Sequence, residues 1–209
     1  MNLQKGSTYH MDKHNDPKIH WNYLDKLIAK LRYLKVNKYI KANNIIVDIG
    51  CGQKGEFLLS HKNQFKKGYG LDHKISSHIV DNIEFINNKK LKQLPIPKNS
   101  VDVVFLNAVL EHLQNPKAVL GEALSVLKDD GKIVMTTPTP LAKPILEIMA
   151  YKLHIINEAE IKEHVHYYTY EDILYLIKEL NDKFPVKLEK YEKFEFGVNS
   201  LIVIQKFKN

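Results

Sequence analysis

Two rhythms of apolar residues alternate along this chain. Short β-branched runs such as "IIVDIG" (45–50) are separated by segments in which apolar residues return every three or four positions. From about Lys18, Ile19, Tyr23, Leu27, Leu31 and Leu34 recur at helical spacing and predict a helix to about Ala42, with that stripe as its apolar face. "IIVDIG" is too short and too β-branched for a helix and reads as a buried strand. A helix should follow Gly55 and bury Phe57 and Leu58. "GYGLD" and "NIEFI" are the next strands, and "NNKKLKQLPIPKNS" is a polar loop.

"VDVVFLN" is another buried strand. Asn115 and Pro116 form an N-cap and first-turn pair, opening a helix with Val119, Leu120, Ala123, Leu124 and Leu127 inward. "KIVMTT" is the next strand. Thr169 and Asp172 fit a capping box, opening a helix with Ile173, Leu174, Ile177 and Leu180 inward, and Pro185 stops it. Two strands near "VKLEKYE" and "SLIVIQKF" follow. Strands alternating with helices predict an α/β protein with a doubly wound, largely parallel sheet.

Residues 1–17 are polar and aperiodic and read as a flexible segment; residues 18–209 read as one domain. The stretch 139–165 is too long for an ordinary connection. With Pro144 in a first turn and Ile145, Met149 and Leu153 on one face, it predicts a helical lid over the carboxyl ends of the strands.

Composition narrows the class. No apolar run is long enough to span a bilayer and the polar start does not resemble a signal peptide, so a cytoplasmic location is expected. The single cysteine, Cys51, excludes an internal disulfide framework and a cysteine-rich zinc site. The net charge of +7 invites a nucleic-acid reading, but Arg32 is the sole arginine. Lysine lacks the planar fork that reads guanine or phosphate bidentately, so nucleic acid is not the expected partner.

The chemistry starts at "VDIGCGQKG", where Gly50, Gly52 and Gly55 form G-x-G-x-x-G between a strand and a helix. Asp72 ends the next strand, placed to accept hydrogen bonds from an adenosine ribose. Both dinucleotides and S-adenosylmethionine carry that ribose, and Asp48 separates them. A carboxylate beside the loop repels a pyrophosphate and favours the sulfonium and ammonium of S-adenosylmethionine.

"VDIGCGQKG", "GYGLD", "LPIPKNSVDVVFLNAVLEHL" and "VLKDDGKIVMTTP", in this order and spacing, resemble class I S-adenosylmethionine-dependent methyltransferases. Within that family the likeness is to the group with ubiquinone- and menaquinone-pathway and related small-molecule enzymes. The resemblance implies a Rossmann-like, seven-stranded sheet whose last strand is inserted antiparallel. It also implies that Asp48, Gly50, Cys51, Gly52 and Gly55 form the cofactor loop and that Asp72 holds the ribose. His73 would then flank the adenine, Asn107 would touch the methionine part, and Asn87 or Asn88 would stand where the family has an adenine-binding aspartate. Cys51 itself is expected only to fill space.

Methyl transfer to oxygen needs alignment and a proton acceptor. "EHL" (Glu111, His112) and "EHVHYYT" (Glu163, His164, His166) supply candidates, and His112, His164 and His166 are the expected catalytic residues. A subset of the resembled superfamily holds a divalent metal through Glu-x-x-Glu-His and a later histidine. Ala108 stands at the first glutamate position here, so no metal is expected, the alternative being Glu111 and His112 with His164 or His166. The expected function is O-methylation of a small molecule such as a sugar or quinone precursor. The alternatives are an RNA methyltransferase and a non-catalytic S-adenosylmethionine-binding protein.

Overall fold

The computed structural model describes residues 23–149, apart from 90 and 92, and residues 164–208. The apolar runs form one sheet: β1 (Ile45–Ile49), β2 (Lys67–Asp72), β3 (His78–Val80), β4 (Ile83–Asn87), β5 (Val101–Asn107), β6 (Leu127–Pro138), β7 (Val186–Phe194) and β8 (Asn199–Lys206). Their order is β3-β4-β2-β1-β5-β6-β8-β7. Strands β4, β2, β1, β5 and β6 run parallel, and β8 lies antiparallel between β6 and β7, the inserted final strand that the resemblance implies.

Among the described residues the sheet has eight strands rather than the expected seven. The extra one, β3, is a three-residue edge strand that folds back antiparallel onto β4. Asp81, at φ 53°, makes the tight turn between them, a conformation that aspartate tolerates better than most residues. A strand so short leaves no periodicity to detect.

Two apolar layers flank the sheet. On one face Val47, Ile49, Val104, Leu106, Ile133, Met135, Ile202 and Ile204 pack against α3 (Pro116–Val126) and α5 (Tyr170–Asn181). On the other, Ile46, Val103, Phe105, Val134, Leu201 and Val203 pack against α1 (Tyr23–Val36) and α2 (Glu56–His61). The Asn115 N-cap of α3 and the Thr169–Asp172 capping box of α5 form as expected. In α5 the inward face is Ile173, Leu176, Ile177 and Leu180, while Leu174 is exposed. In α1 the correction is larger. Leu27, Leu31 and Leu34 are exposed, and Ala29 and Val36 are buried, with Tyr33 packing its ring 5.1 Å from that of Phe57. Helical spacing reveals a stripe but not whether the sheet lies under it.

Beyond β6 the chain enters α4 (Ala142–Glu147), the described beginning of the expected lid, on which Leu141, Ile145 and Ile148 are exposed. The rest of that lid to residue 163, and the N-terminal segment 1–17, lie outside the described residues. Among the described residues no helix is long and apolar enough to cross a membrane.

Candidate active site

The glycine loop joins β1 to α2 at the carboxyl edge of the sheet. Its turn requires left-handed backbone: Gly52 sits at φ 71° with open space where a Cβ would stand, and at Gly55 (φ 59°) a Cβ would overlap the Phe85 ring. The Gly50 N–H donates to the Leu71 carbonyl at 2.7 Å, tying the loop to β2. Asp72 ties it again: its carboxylate accepts from the Gly52 N–H at 2.9 Å and the Lys74 N–H at 2.7 Å. Fixed this way, each carboxylate oxygen keeps a lone pair for a ligand hydroxyl. His73 is exposed beside it, with Nδ1 3.4 Å from the Asp72 carboxylate. Cys51 is buried, and burial next to Asp48 and Asp72 pushes its thiol up, away from any reactive thiolate.

Asn87 and Asn88 are both committed within the fold. The Asn87 side chain donates to the carbonyls of His73 and Ile75, and that of Asn88 donates to the Gln93 carbonyl at 3.2 Å. The Asn88 N–H also donates to the Asp72 carbonyl, which sets Asn88 directly beside that acid.

By strand alternation, Asp48, Asn107 and Thr136 share the sheet face that carries Ile46, Phe105 and Val134. They stand on adjacent strands, with Asp48 in register with Phe105 and Asn107 with Thr136. One carboxylate oxygen of Asp48, both polar atoms of the Asn107 side chain and the Thr136 hydroxyl are buried without a hydrogen-bond partner. A buried polar atom left unpaired costs about 1–3 kcal/mol, so a shelf of them is matched to a polar ligand. Burial, with the Asp72 charge behind it, raises the Asp48 carboxyl well above the usual carboxylate range. The adjacent Asn107 amide offsets this in part, although the two side chains do not reach hydrogen-bonding geometry. An acid, an amide and a hydroxyl suit the cationic, hydrogen-bonding amino-acid end of S-adenosylmethionine, and the acid disfavours a pyrophosphate.

The histidines gather nearby. After β5, Ala108 takes a left-handed conformation (φ 55°) and donates its N–H to the Thr136 carbonyl at 2.9 Å, and Leu110–His112 form one 3-10 turn. Glu111 is buried, accepts from the Thr137 hydroxyl at 3.0 Å and is raised by burial. Its carbonyl accepts from the N–H groups of Val165 (2.8 Å) and His166 (3.3 Å), strapping that distant segment to the turn. The strap sets the His112 and His164 rings edge-to-face at 4.8 Å, with His164 Nδ1 2.9 Å from the Tyr167 hydroxyl. Ligand atoms of Glu111, His112 and His164 all lie within 4.8 Å of one another. Burial, then the His112 and Arg32 charges, lowers His164 to about 4. His166 does not join them: it is exposed, with Nε2 3.2 Å from Asp172 of the capping box.

A methyltransferase domain model matches residues 20–181. The chain belongs to the methyltransferase domain family. An uncharacterized methyltransferase of Schizosaccharomyces pombe is 28% identical over 148 residues, 59% of this chain and 53% of that protein. A malonyl-[acyl-carrier protein] O-methyltransferase of Hahella chejuensis is 29% identical over 100 residues, 44% of this chain and 36% of that protein. The chain thus spans about half or less of the length of these curated relatives. A chain from the complex of the Haloferax volcanii Trm112 methyltransferase activator with its methyltransferase shares the fold: TM-score 0.67 at 13% identity, covering 88% of this chain and 94% of that one.

The orphaned shelf of this methyltransferase domain fits S-adenosylmethionine, the methyl donor that the sequence resemblance implies. Asp72 would hold the ribose, and Asp48, Asn107 and Thr136 the amino-acid end. Sequence reasoning missed Thr136 and Thr137, although a hydroxyl pair closing the apolar run "KIVM" is a readable signal.

Asp48 supplies a test of function opposing stability. Its folded carboxyl keeps its proton to higher pH than the unfolded one, so its ionisation costs stability as pH rises from about 4 toward the folded value. Asp48→Asn should therefore raise the ligand-free Tm at pH 8, with little change at pH 3.5. Calorimetry should show cofactor affinity weakened by about 1–3 kcal/mol, as for a lost charge-assisted hydrogen bond.

Proposed function

We propose that this methyltransferase acts on a hydroxyl oxygen of a small molecule, such as a sugar, a quinone precursor or a related metabolite. Bound S-adenosylmethionine supplies the electrophilic methyl group. The observation that carries the proposal is the His112–His164 pair, with Glu111 behind it, at the sheet edge that also bears Asp48, Asn107 and Thr136. Neutral imidazoles accept the proton that an attacking hydroxyl loses, and His164, lowered by burial, is neutral throughout the physiological range. Glu111, fixed by Thr137, supports the charge that His112 gains on taking a proton. The Hahella chejuensis relative, named as an O-methyltransferase, supports transfer to oxygen.

The ligand geometry favours a second reading, in which Glu111, His112 and His164 hold a divalent cation against the acceptor hydroxyl. Metal bonds to these atoms run about 2.0–2.2 Å, so small side-chain rotations would close the site, and three protein ligands leave a position open for substrate. No metal was expected; in the alternative set of Glu111 and His112 with His164 or His166, it is His164 whose ligand atom lies with theirs.

The test is transfer of labelled methyl from S-adenosylmethionine to a pooled extract of small metabolites and, separately, to total RNA. Label is expected in the small-molecule fraction. Label in RNA alone would overturn the acceptor class, and none in either would leave a cofactor-binding protein.

A further inference from the structure

Among the described residues, five buried side-chain atoms have no hydrogen-bond partner. Four belong to Asp48, Asn107 and Thr136, and the fifth is Oε1 of Glu195, in the turn between β7 and β8. Glu195 continues their row. Its other carboxylate oxygen accepts from the side chain of Asn199, the first residue of β8. Asn199 lies two residues from Leu201, which is in register with Thr136, and alternation puts it on the face of Leu201 and Val203, the face of the shelf. Because β8 is antiparallel to β6, that step leads toward the carboxyl edge, where Asn199 pairs with Pro138. From β1 through β5 and β6 to β8 the row crosses three strand spacings, about 14 Å. The amino-acid end of S-adenosylmethionine is too short a chain to engage both ends of such a row, so Glu195 serves a different ligand.

The turn holds this position at a cost. Glu195, Phe196 and Gly197 take left-handed backbone in succession (φ 51°, 57° and 87°), which glycine accepts freely and glutamate and phenylalanine do not. Thr139 clasps the turn, donating its N–H to the Val198 carbonyl at 2.8 Å and its hydroxyl to the Gly197 carbonyl at 2.7 Å. Thr139 follows Thr137, which holds Glu111, by two positions, roughly 7 Å of extended chain. The clasp thus ties Glu195 to the end of the sheet that carries the His112–His164 pair. The Phe196 ring is fully exposed. A strained turn that buries nothing of its phenylalanine points to a ligand rather than to packing.

We propose that this turn anchors the far end of the methyl acceptor: Glu195 accepts a hydrogen bond from a donor group of that molecule, and the Phe196 ring packs on its apolar body. The anchor rests on the reading of a small hydroxyl acceptor and narrows it. The acceptor is bifunctional, with the hydroxyl to be methylated at one end and an ammonium or a second hydroxyl at the other. Both are donors that a carboxylate receives.

Three phenols that differ only at the far end test the anchor: tyramine carries an ammonium there, tyrosol a hydroxyl and para-propylphenol a methyl group. Calorimetry titrates each into enzyme saturated with S-adenosylhomocysteine. The parent should bind tyramine or tyrosol about tenfold more tightly than para-propylphenol, tyramine if the group received is a cation and tyrosol if it is a neutral hydroxyl. Glu195→Ala should bind all three alike. Glu195→Gln, which keeps an acceptor oxygen without the charge, should lose a preference for tyramine but keep part of one for tyrosol. Phe196→Ser should weaken binding of every phenol. In each variant the ligand-free Tm and the S-adenosylhomocysteine affinity should match the parent's. No Glu195-dependent preference among the phenols, whether they bind alike or fail to bind, overturns the anchor. So does a loss of S-adenosylhomocysteine affinity in Glu195→Ala, which would assign the residue to the cofactor. Labelled methyl in RNA alone, with the phenol preference intact, would instead strike at the acceptor reading.

Discussion

Asp72→Ala is expected to weaken binding of S-adenosylmethionine and S-adenosylhomocysteine by about 2–4 kcal/mol, roughly 30- to 1,000-fold. Two losses combine. The ribose hydroxyls lose a charged acceptor, and the loop loses the carboxylate that now takes the Gly52 and Lys74 N–H groups. Asp72→Asn separates them in part, because an amide oxygen can still accept one of those N–H groups but carries no charge. Its affinity should fall between parent and alanine variant, with ligand-free Tm close to the parent's. Isothermal calorimetry on all three proteins checks this, and unchanged affinity in Asp72→Ala would remove the ribose assignment.

Removing either imidazole of the His112–His164 pair should lower the rate by about 100- to 10,000-fold, with S-adenosylhomocysteine affinity unchanged within a few-fold. The pH dependence distinguishes a titrating base from a preset one. A histidine at its ordinary value would make activity rise between about pH 6 and 7. His164, lowered to about 4, is already neutral there, so its contribution should stay flat from pH 5.5 to 8 and fall only as the pH approaches 4. The same shift affects folding. A folded value below the unfolded one gives stability that is present above about pH 6.5 and lost as pH falls toward 4, so His164→Gln should flatten the acid limb of a urea-midpoint profile. Single-turnover rates with an identified acceptor, with and without EDTA, then choose between the two readings of the site. A rate indifferent to chelator is the expected result, given Ala108 in place of a further carboxylate. A rate abolished by EDTA and restored by Mg²⁺ would establish the cation site of Glu111, His112 and His164.

His166 offers a sharp comparison. It was grouped with His164 on spacing alone, yet it bonds the α5 capping box. His166→Asn should cost far less activity than His164→Asn if the geometry of the pair is what matters.

Local chemistry determined a large part of this protein. Glycines at 50, 52 and 55 permit left-handed turns that no other residue adopts at comparable cost, so the loop between β1 and α2 could be read directly. Asn115 before Pro116 and Thr169 before Asp172 satisfy the free N–H groups of a helix end within four residues, and both helices begin there. Asp48 argues for a cationic ligand over a phosphate from sequence alone, because a carboxylate beside the loop repels a phosphate whatever the rest of the fold.

Contacts between distant segments decided the rest. Helix α1 carries two candidate faces, and the leucine stripe is the more apolar, but the sheet covers the face of Ala29, Tyr33 and Val36. His112 and His164 lie 52 residues apart, and two backbone hydrogen bonds to the Glu111 carbonyl bring them together. No periodicity encodes such a strap, because its donors and acceptor are main-chain groups that every residue has. The sequence could name the chemistry at each position, but only the closed fold, by bringing the groups within reach, determined which of them act together.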